Sequence, residues 1–199
     1  MSAMKVHLIA AALVPVCIGK PAMAALDFSR LCVAKVCLED KSATVERIRA
    51  KFGPGQALRR EDDAGGESYC YYDAQNNLWG EFTFGSNHQP HRRPRLLGIT
   101  LTTAAMCSTN ATSKAPIGPR AGRVRIGSSE SELVQVMGFP DRVDDALQRE
   151  RKNPGIKRTR YSARFGDRVY VYERNDDLGF VFVFLASGRV STVWQSIAE

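Results

Sequence analysis

The residues able to do chemistry are few, and their spacing decides what they can do. His88 and His91 stand three apart in the run His88-Gln89-Pro90-His91-Arg92-Arg93-Pro94-Arg95, with no acid nearby to complete a metal site. Glu61, Asp62 and Asp63 are sequence neighbours beside Gly65-Gly66, a turn composition rather than two carboxylates converging on one bond. No G-x-S-x-G, H-E-x-x-H or Walker-type segment and no cofactor fingerprint occurs. The chain therefore reads as a non-enzyme that needs neither metal nor cofactor.

Cysteine is the remaining reactive type. Cys17 lies in an apolar run, leaving Cys32, Cys37, Cys70 and Cys107. Met1 to His7 is short and basic, Leu8 to Gly19 is mostly apolar, and Ala22-Met23-Ala24 gives an A-x-A frame. Residues 1–24 are accordingly expected to be a signal peptide removed after Ala24, and the mature protein to be periplasmic or secreted. The apolar run is shorter than the roughly 20 residues a membrane span needs. Four cysteines in an exported chain predict two disulfides, with three connectivities open and Cys32–Cys37 plus Cys70–Cys107 preferred.

Of the 199 residues, 28 are Lys or Arg and 21 are Asp or Glu. Cleavage would take away Lys5 and Lys20 and no acid, so the formal charge would fall from +7 to +5. With 44% hydrophobic residues and no heptad run, collagen, coiled coil and wholesale disorder are excluded.

What must position any binding surface is an internal repeat. Tyr72 to Phe84 aligns with Tyr172 to Phe184 at an offset of 100 residues, with tyrosine, leucine and two phenylalanines in register. Both segments predict a strand, a polar turn and a second strand. Upstream, Val45, Ile48 and Phe52 give a helical pattern ending at Gly53-Pro54-Gly55. Leu133, Val134, Val136 and Met137 do the same before Gly138-Phe139-Pro140, with Ser129 and Glu132 as a capping box. Downstream, Gly98 to Leu101 and Gly188 to Val193 each predict a third strand. The expectation is an α+β protein of two tandem repeats, each a short helical segment followed by a three-stranded antiparallel meander. Repeat 1 spans 25–107, a Ser, Thr, Pro and Gly-rich linker 108–122, and repeat 2 123–199.

Ile126-Gly127-Ser128-Ser129, Gly138-Phe139-Pro140, Tyr170-Val171-Tyr172, Phe182-Val183-Phe184 and Gly188-Arg189-Val190 together resemble the repeat of the β-lactamase-inhibitory-protein fold. They are also similar to the single-copy domain of SmpA/OmlA-type outer-membrane assembly lipoproteins. The resemblance implies a fold that grips a partner enzyme with a concave sheet and its hairpin loops. By strand parity, Phe82, Phe84, Phe182 and Phe184 are expected to face the helices. Glu81, Thr83, Thr100, Thr102, Val181 and Val183 are then expected on the opposite face, which in the resembling inhibitors is the concave one.

Charge concentrates where the copies differ. The insertion after Phe84 carries Arg92 and Arg93, and residues 149–168 carry eight basic residues, among them Arg158 and Arg160, against Glu150 and Asp167. Positive loops on a scaffold would steer a protein partner that is acidic at the contact. Tyr161 interleaves with this charge, but export and the lack of a recognition motif argue against nucleic acid. The expected binding residues are Tyr71, Trp79, Glu81, Arg92, Arg93, Arg158, Arg160, Tyr161 and Trp194. The function expected is inhibition or neutralisation of an enzyme or toxin. The alternative is an envelope assembly or maintenance factor binding an outer-membrane complex or an anionic wall component.

Overall fold

The computed structural model describes residues 32–38, 40–58, 66–85, 94–145, 164–173 and 179–197. Its frame is one eight-stranded antiparallel sheet with two short helices, an α+β arrangement. The first half of the chain supplies α1 (Val45–Phe52), β1 (Gln56–Leu58), β2 (Glu67–Asp73), β3 (Leu78–Gly85) and β4 (Arg95–Thr102). A two-stranded ribbon follows, β5 (Arg120–Ala121) with β6 (Val124–Arg125). The second half supplies α2 (Glu130–Met137), β7 (Arg142–Asp145), β8 (Arg168–Glu173), β9 (Gly179–Ala186) and β10 (Arg189–Ile197). Sheet order is β1-β2-β3-β4-β10-β9-β8-β7, so the halves join where β4 pairs antiparallel with β10.

Each half thus contributes four strands rather than the three expected. The extra strands, β1 and β7, have three and four residues and sit at the two ends of the sheet. Strands so short, with no apolar alternation, leave little trace in sequence. The two meanders, β2-β3-β4 and β8-β9-β10, lie where they were expected.

Both helices begin and end as their sequences dictate. The hydroxyl of Thr44 accepts from the Arg47 N–H to cap α1. Ser129 and Glu132 form the reciprocal capping box of α2. Gly53 (φ 97°) and Gly138 (φ 79°) stop them, each donating its N–H back into the last turn. Ile48 and Phe52 of α1, and Leu133 and Met137 of α2, bury into one core with Tyr71, Phe82, Leu101, Tyr172, Val181 and Val183.

Cross-strand register fixes which side chains share that core. Tyr71, Gly80, Leu101, Val193, Val183 and Tyr170 oppose one another across the sheet, and so do Tyr69, Phe82, Ile99, Gln195, Val181 and Tyr172. These rows face the helices. Phe182 and Phe184 therefore point the other way, correcting the parity expected for them, while Val181 and Val183 are core. The 100-residue alignment matched Tyr72 with Tyr172, yet it is Tyr71 and Tyr172 that play the same part. Tyr71 donates its hydroxyl to the Gly53 carbonyl at 3.2 Å, and Tyr172 donates to Gly138 at 3.4 Å. A slip of one residue exchanges the faces of a strand. Because β9 is apolar on both faces, its composition could not reveal the slip.

The segment expected as a linker is held along its course. Thr112 bridges Tyr72 in parallel, Lys114 N–H donates to Phe52 O, and Ile117 packs over Gly80, where a Cβ would come within 2.9 Å of its Cδ1. Asp73, at the end of β2, receives the N–H groups of Ile117 and Gly118 at 2.8 and 2.9 Å.

At the other end of the described chain, Val33 and Val36 exchange two backbone hydrogen bonds around Ala34 (φ 49°) and Lys35 (φ 65°). This two-residue hairpin turn needs positive φ at both central positions, a conformation that disfavours residues with a Cβ. Lys35→Gly is expected to raise stability by about 1 kcal/mol, less what glycine returns to the unfolded chain. A urea midpoint lower than that of the unsubstituted protein would contradict this account of the turn.

Candidate functional site

The four cysteines are joined as Cys32–Cys37 and Cys70–Cys107, with Cα separations of 4.3 and 6.1 Å. The first closes the hairpin around Ala34 and Lys35. The second ties β2 to the segment leaving β4, on the side of the sheet turned away from the helices.

That side is built from three rows. Tyr72, Trp79, Thr102, Thr192, Phe184 and Val169 oppose one another, then Cys70, Glu81, Thr100, Trp194, Phe182 and Val171, then Ser68, Thr83, Gly98, Ser196 and Phe180. Its centre is polar and tight, with the hydroxyls of Thr102 and Thr192 2.7 Å apart and both residues fully buried. Trp79 lies to one side, 4.8 Å from the Tyr72 ring, and its indole N–H donates to Cys107 O at 3.2 Å. To the other side, Trp194 stacks on Phe182 with ring centroids 5.0 Å apart, and Phe182 lies 6.0 Å from Phe180. Phe180, Phe182 and Trp194 are all only half-buried.

Of the residues expected to bind, Trp79, Glu81 and Trp194 share this face, but they are not equally available. Trp194 is accessible. Trp79 keeps 8% of its surface and Glu81 only 1%, so both act mainly inside the fold. Tyr71 is on the wrong side altogether. It is fully buried beneath α1, its ring 5.6 Å from Phe52 and 6.0 Å from Phe82, and cannot touch a partner there. Burial pushes its hydroxyl up to about 12. It likewise raises that of Tyr172, so both remain protonated donors at neutral pH. The alternation of Tyr69-Cys70-Tyr71-Tyr72 held the clue, since Cys70 and Tyr72 must share one face and Tyr69 and Tyr71 the other.

Arg92, Arg93, Arg158, Arg160 and Tyr161 lie outside the described residues, as do His88, His91, Glu61, Asp62, Asp63 and residues 1–24. Phe180 and Phe182 were missed as surface aromatics because the offset of 100 assigned Phe182 to the core.

Two polar groups near the helices are structural. Glu130 accepts from Arg168 at 2.8 Å and from the Tyr170 hydroxyl, joining the start of α2 to β8. Gln195 keeps 2% of its surface, and its Nε2 has no hydrogen-bond partner among the described residues, an arrangement that costs stability. Among the described residues, no group of three or more His, Cys, Asp or Glu could hold a metal ion, and no helix is long and apolar enough to cross a membrane.

No protein-family model matches the chain, and no curated protein matches it. Among solved structures, a DUF4309 family protein (YjgB) from Bacillus subtilis is similar at 13% identity with a TM-score of 0.42, over 84% of this chain and 82% of that one.

Proposed function

We propose that the chain is an exported, non-catalytic protein-binding module that inhibits or neutralises a partner enzyme or toxin. The observation that carries this reading is the half-buried stack of Phe180, Phe182 and Trp194 on the sheet face turned away from both helices. Aromatic side chains held rigid by a sheet bring large contact area at little entropic cost, and tryptophan is the residue type most enriched in binding hot spots. The basic loops carrying Arg92, Arg93, Arg158, Arg160 and Tyr161 would add electrostatic steering toward a partner acidic at the contact. Two disulfides support export, since such bonds persist in oxidising compartments.

The same reading takes the chain as two tandem units of the β-lactamase-inhibitory-protein-like kind, related to the SmpA/OmlA-type domain. The order of one helix and four strands occurring twice, and the paired contacts of Tyr71 with Gly53 and Tyr172 with Gly138, support it.

The test is capture of partners by the purified exported chain from periplasmic and secreted fractions, followed by affinity measurement on what is retained. The expected result is one soluble enzyme or toxin bound one to one, with affinity lowered about tenfold or more by Trp194→Ala and by Phe182→Ala. Retention unchanged in both variants would overturn the assigned face. Retention of outer-membrane proteins or wall fragments alone would overturn inhibition in favour of envelope maintenance.

A further inference from the structure

Three cations gather where one flank of α1 meets the Cys32–Cys37 hairpin. Arg47 and Lys51 stand four apart in α1, neighbours on one side of the helix. Lys35 comes from the hairpin turn, and the Lys51 ammonium donates to the carbonyl of Ala34 beside it. That ammonium also lies 5.2 Å from the centre of the Phe52 ring. Arg47 is steadied separately, donating an N–H to the Ser42 hydroxyl. Lys35 and Arg47 are exposed, and Lys51 is half-buried.

The described acids do not neutralise this cluster. None of the three cations forms an ion pair with any of them. Asp40, the acid near Arg47, turns its carboxylate to Ser42, accepting the backbone N–H at 2.8 Å and the hydroxyl as well. Glu46 lies toward Tyr69, on the flank of α1 where Arg49 sits 5.8 Å from that ring. Burial, and then the charges of Lys35 and Arg47, hold the Lys51 ammonium below the usual lysine range. Like charges fixed side by side repel, and an anion set among them removes that repulsion.

Donor chemistry narrows the anion. Each of the three side chains keeps N–H groups unused within the described chain, and none can accept a hydrogen bond. The matching group accepts only, offers several oxygens and carries more than one negative charge, as a phosphate does. Lys35 also holds φ 65°, where glycine would sit with less strain, in a hairpin closed by a disulfide. A charge is thus kept beside Lys51 at a cost in stability. We infer that Lys35, Arg47 and Lys51 form a binding site for a phosphate group, carried on a soluble molecule or on a lipid headgroup. The site is on the helix side of the sheet and does not depend on what Phe180, Phe182 and Trp194 bind.

Calorimetric titration of the exported chain with inorganic pyrophosphate tests it, alongside co-sedimentation with phosphatidylglycerol vesicles, both in about 50 mM salt. The expected result is a dissociation constant below about 1 mM for at least one probe. Vesicle binding assigns the phosphate to a headgroup, and pyrophosphate binding without it assigns the phosphate to a soluble molecule. Lys51→Gln and Lys35→Gly are each expected to weaken binding about tenfold. Because Lys35→Gly is expected to stabilise the fold, its loss of binding cannot be a loss of structure. Arg49→Gln removes the same charge from the other flank of α1 and is expected to leave binding within about twofold. No binding of either probe would overturn the inference. So would equal weakening by Arg49→Gln, which would show attraction to net charge alone. Tighter binding of a glutamate-rich peptide than of either probe would overturn it too, in favour of carboxylates.

Discussion

Replacing Asp73 with alanine is expected to destabilise the protein by about 4 kcal/mol, more than any single surface change. Asp73 keeps only 3% of its surface and its carboxylate accepts five hydrogen bonds. Oδ1 takes the N–H groups of Gln75 and Asn76, closing the β2–β3 turn. Oδ2 takes the N–H groups of Ile117 and Gly118 and the side-chain amide of Asn76. One carboxylate thereby pins a hairpin and the crossing segment between the halves, and alanine would leave the Ile117 N–H buried without an acceptor. Asp73→Asn keeps one acceptor oxygen and turns an amide donor toward donors at the other, so about half that loss is expected. The two effects are separable by pH. Burial pushes the Asp73 carboxyl up, but the hydrogen bonds from Gly118, Asn76 and Ile117 outweigh it and hold the group below its ordinary value. Its contribution is full above the unfolded value of about 4 and is lost as pH falls through the lower folded value. Urea unfolding at pH 7 and again near pH 3 should therefore show the gap between wild type and Asp73→Asn narrowing in acid. A loss below about 1 kcal/mol for the alanine variant at pH 7 would mean that water replaces these hydrogen bonds freely.

This latch was not legible in the sequence, whereas the elements it joins were. Helix ends are local: Ser129 with Glu132, and glycine at 53 and 138, announce where α2 starts and where both helices stop. The meanders were legible because apolar strands separated by polar turns are also local signals. Asp73 looked like an ordinary turn residue, and its partners Ile117 and Gly118 lie more than forty positions away in a segment without periodicity. Strand parity failed for a different reason. In β9 every position from Phe180 to Leu185 is apolar, so nothing in its pattern says which face is core. The assignment then leaned on an alignment displaced by one residue.

That displacement matters for function because it relocates the aromatic residues. With Phe182 in the core, the face away from the helices would have been threonine, valine and glutamate, with Trp79 and Trp194 set apart. With Phe180 and Phe182 on that face beside Trp194, the accessible aromatic surface belongs to the second half of the chain. Trp79 is instead enlisted by the first half, held to Cys107 O and Tyr72. The two halves thus differ along one face of the sheet, which is closed by a disulfide in the first half and left half-buried in the second.

Removal of the Cys70–Cys107 bridge in a Cys70→Ala, Cys107→Ala variant is accordingly expected to cost about 4 kcal/mol. The bridge spans a sequence separation of 37, against 5 for Cys32–Cys37, and the entropy of closing the unfolded chain grows with loop length. On that basis the shorter bridge is worth about 2 kcal/mol, so the order of the two double variants is itself a prediction. For a protein of this size the larger loss corresponds to a fall in melting temperature of about 10 °C. The native surroundings of the bridge point the same way. Cys70 is fully buried in β2, its disulfide holds Cys107 where the Trp79 indole N–H finds a carbonyl, and the Ser108 N–H beyond it reaches Gln56 Oε1 in β1. Loss of the bridge should therefore shift Trp79 fluorescence in the folded state before it unfolds the sheet, while leaving the Phe182–Trp194 stack on the other half intact. Comparison with a Trp194→Phe background isolates the Trp79 signal. Equal losses for the two bridges, or an unchanged Trp79 signal, would mean that Cys107 is positioned by the crossing segment and not by its disulfide.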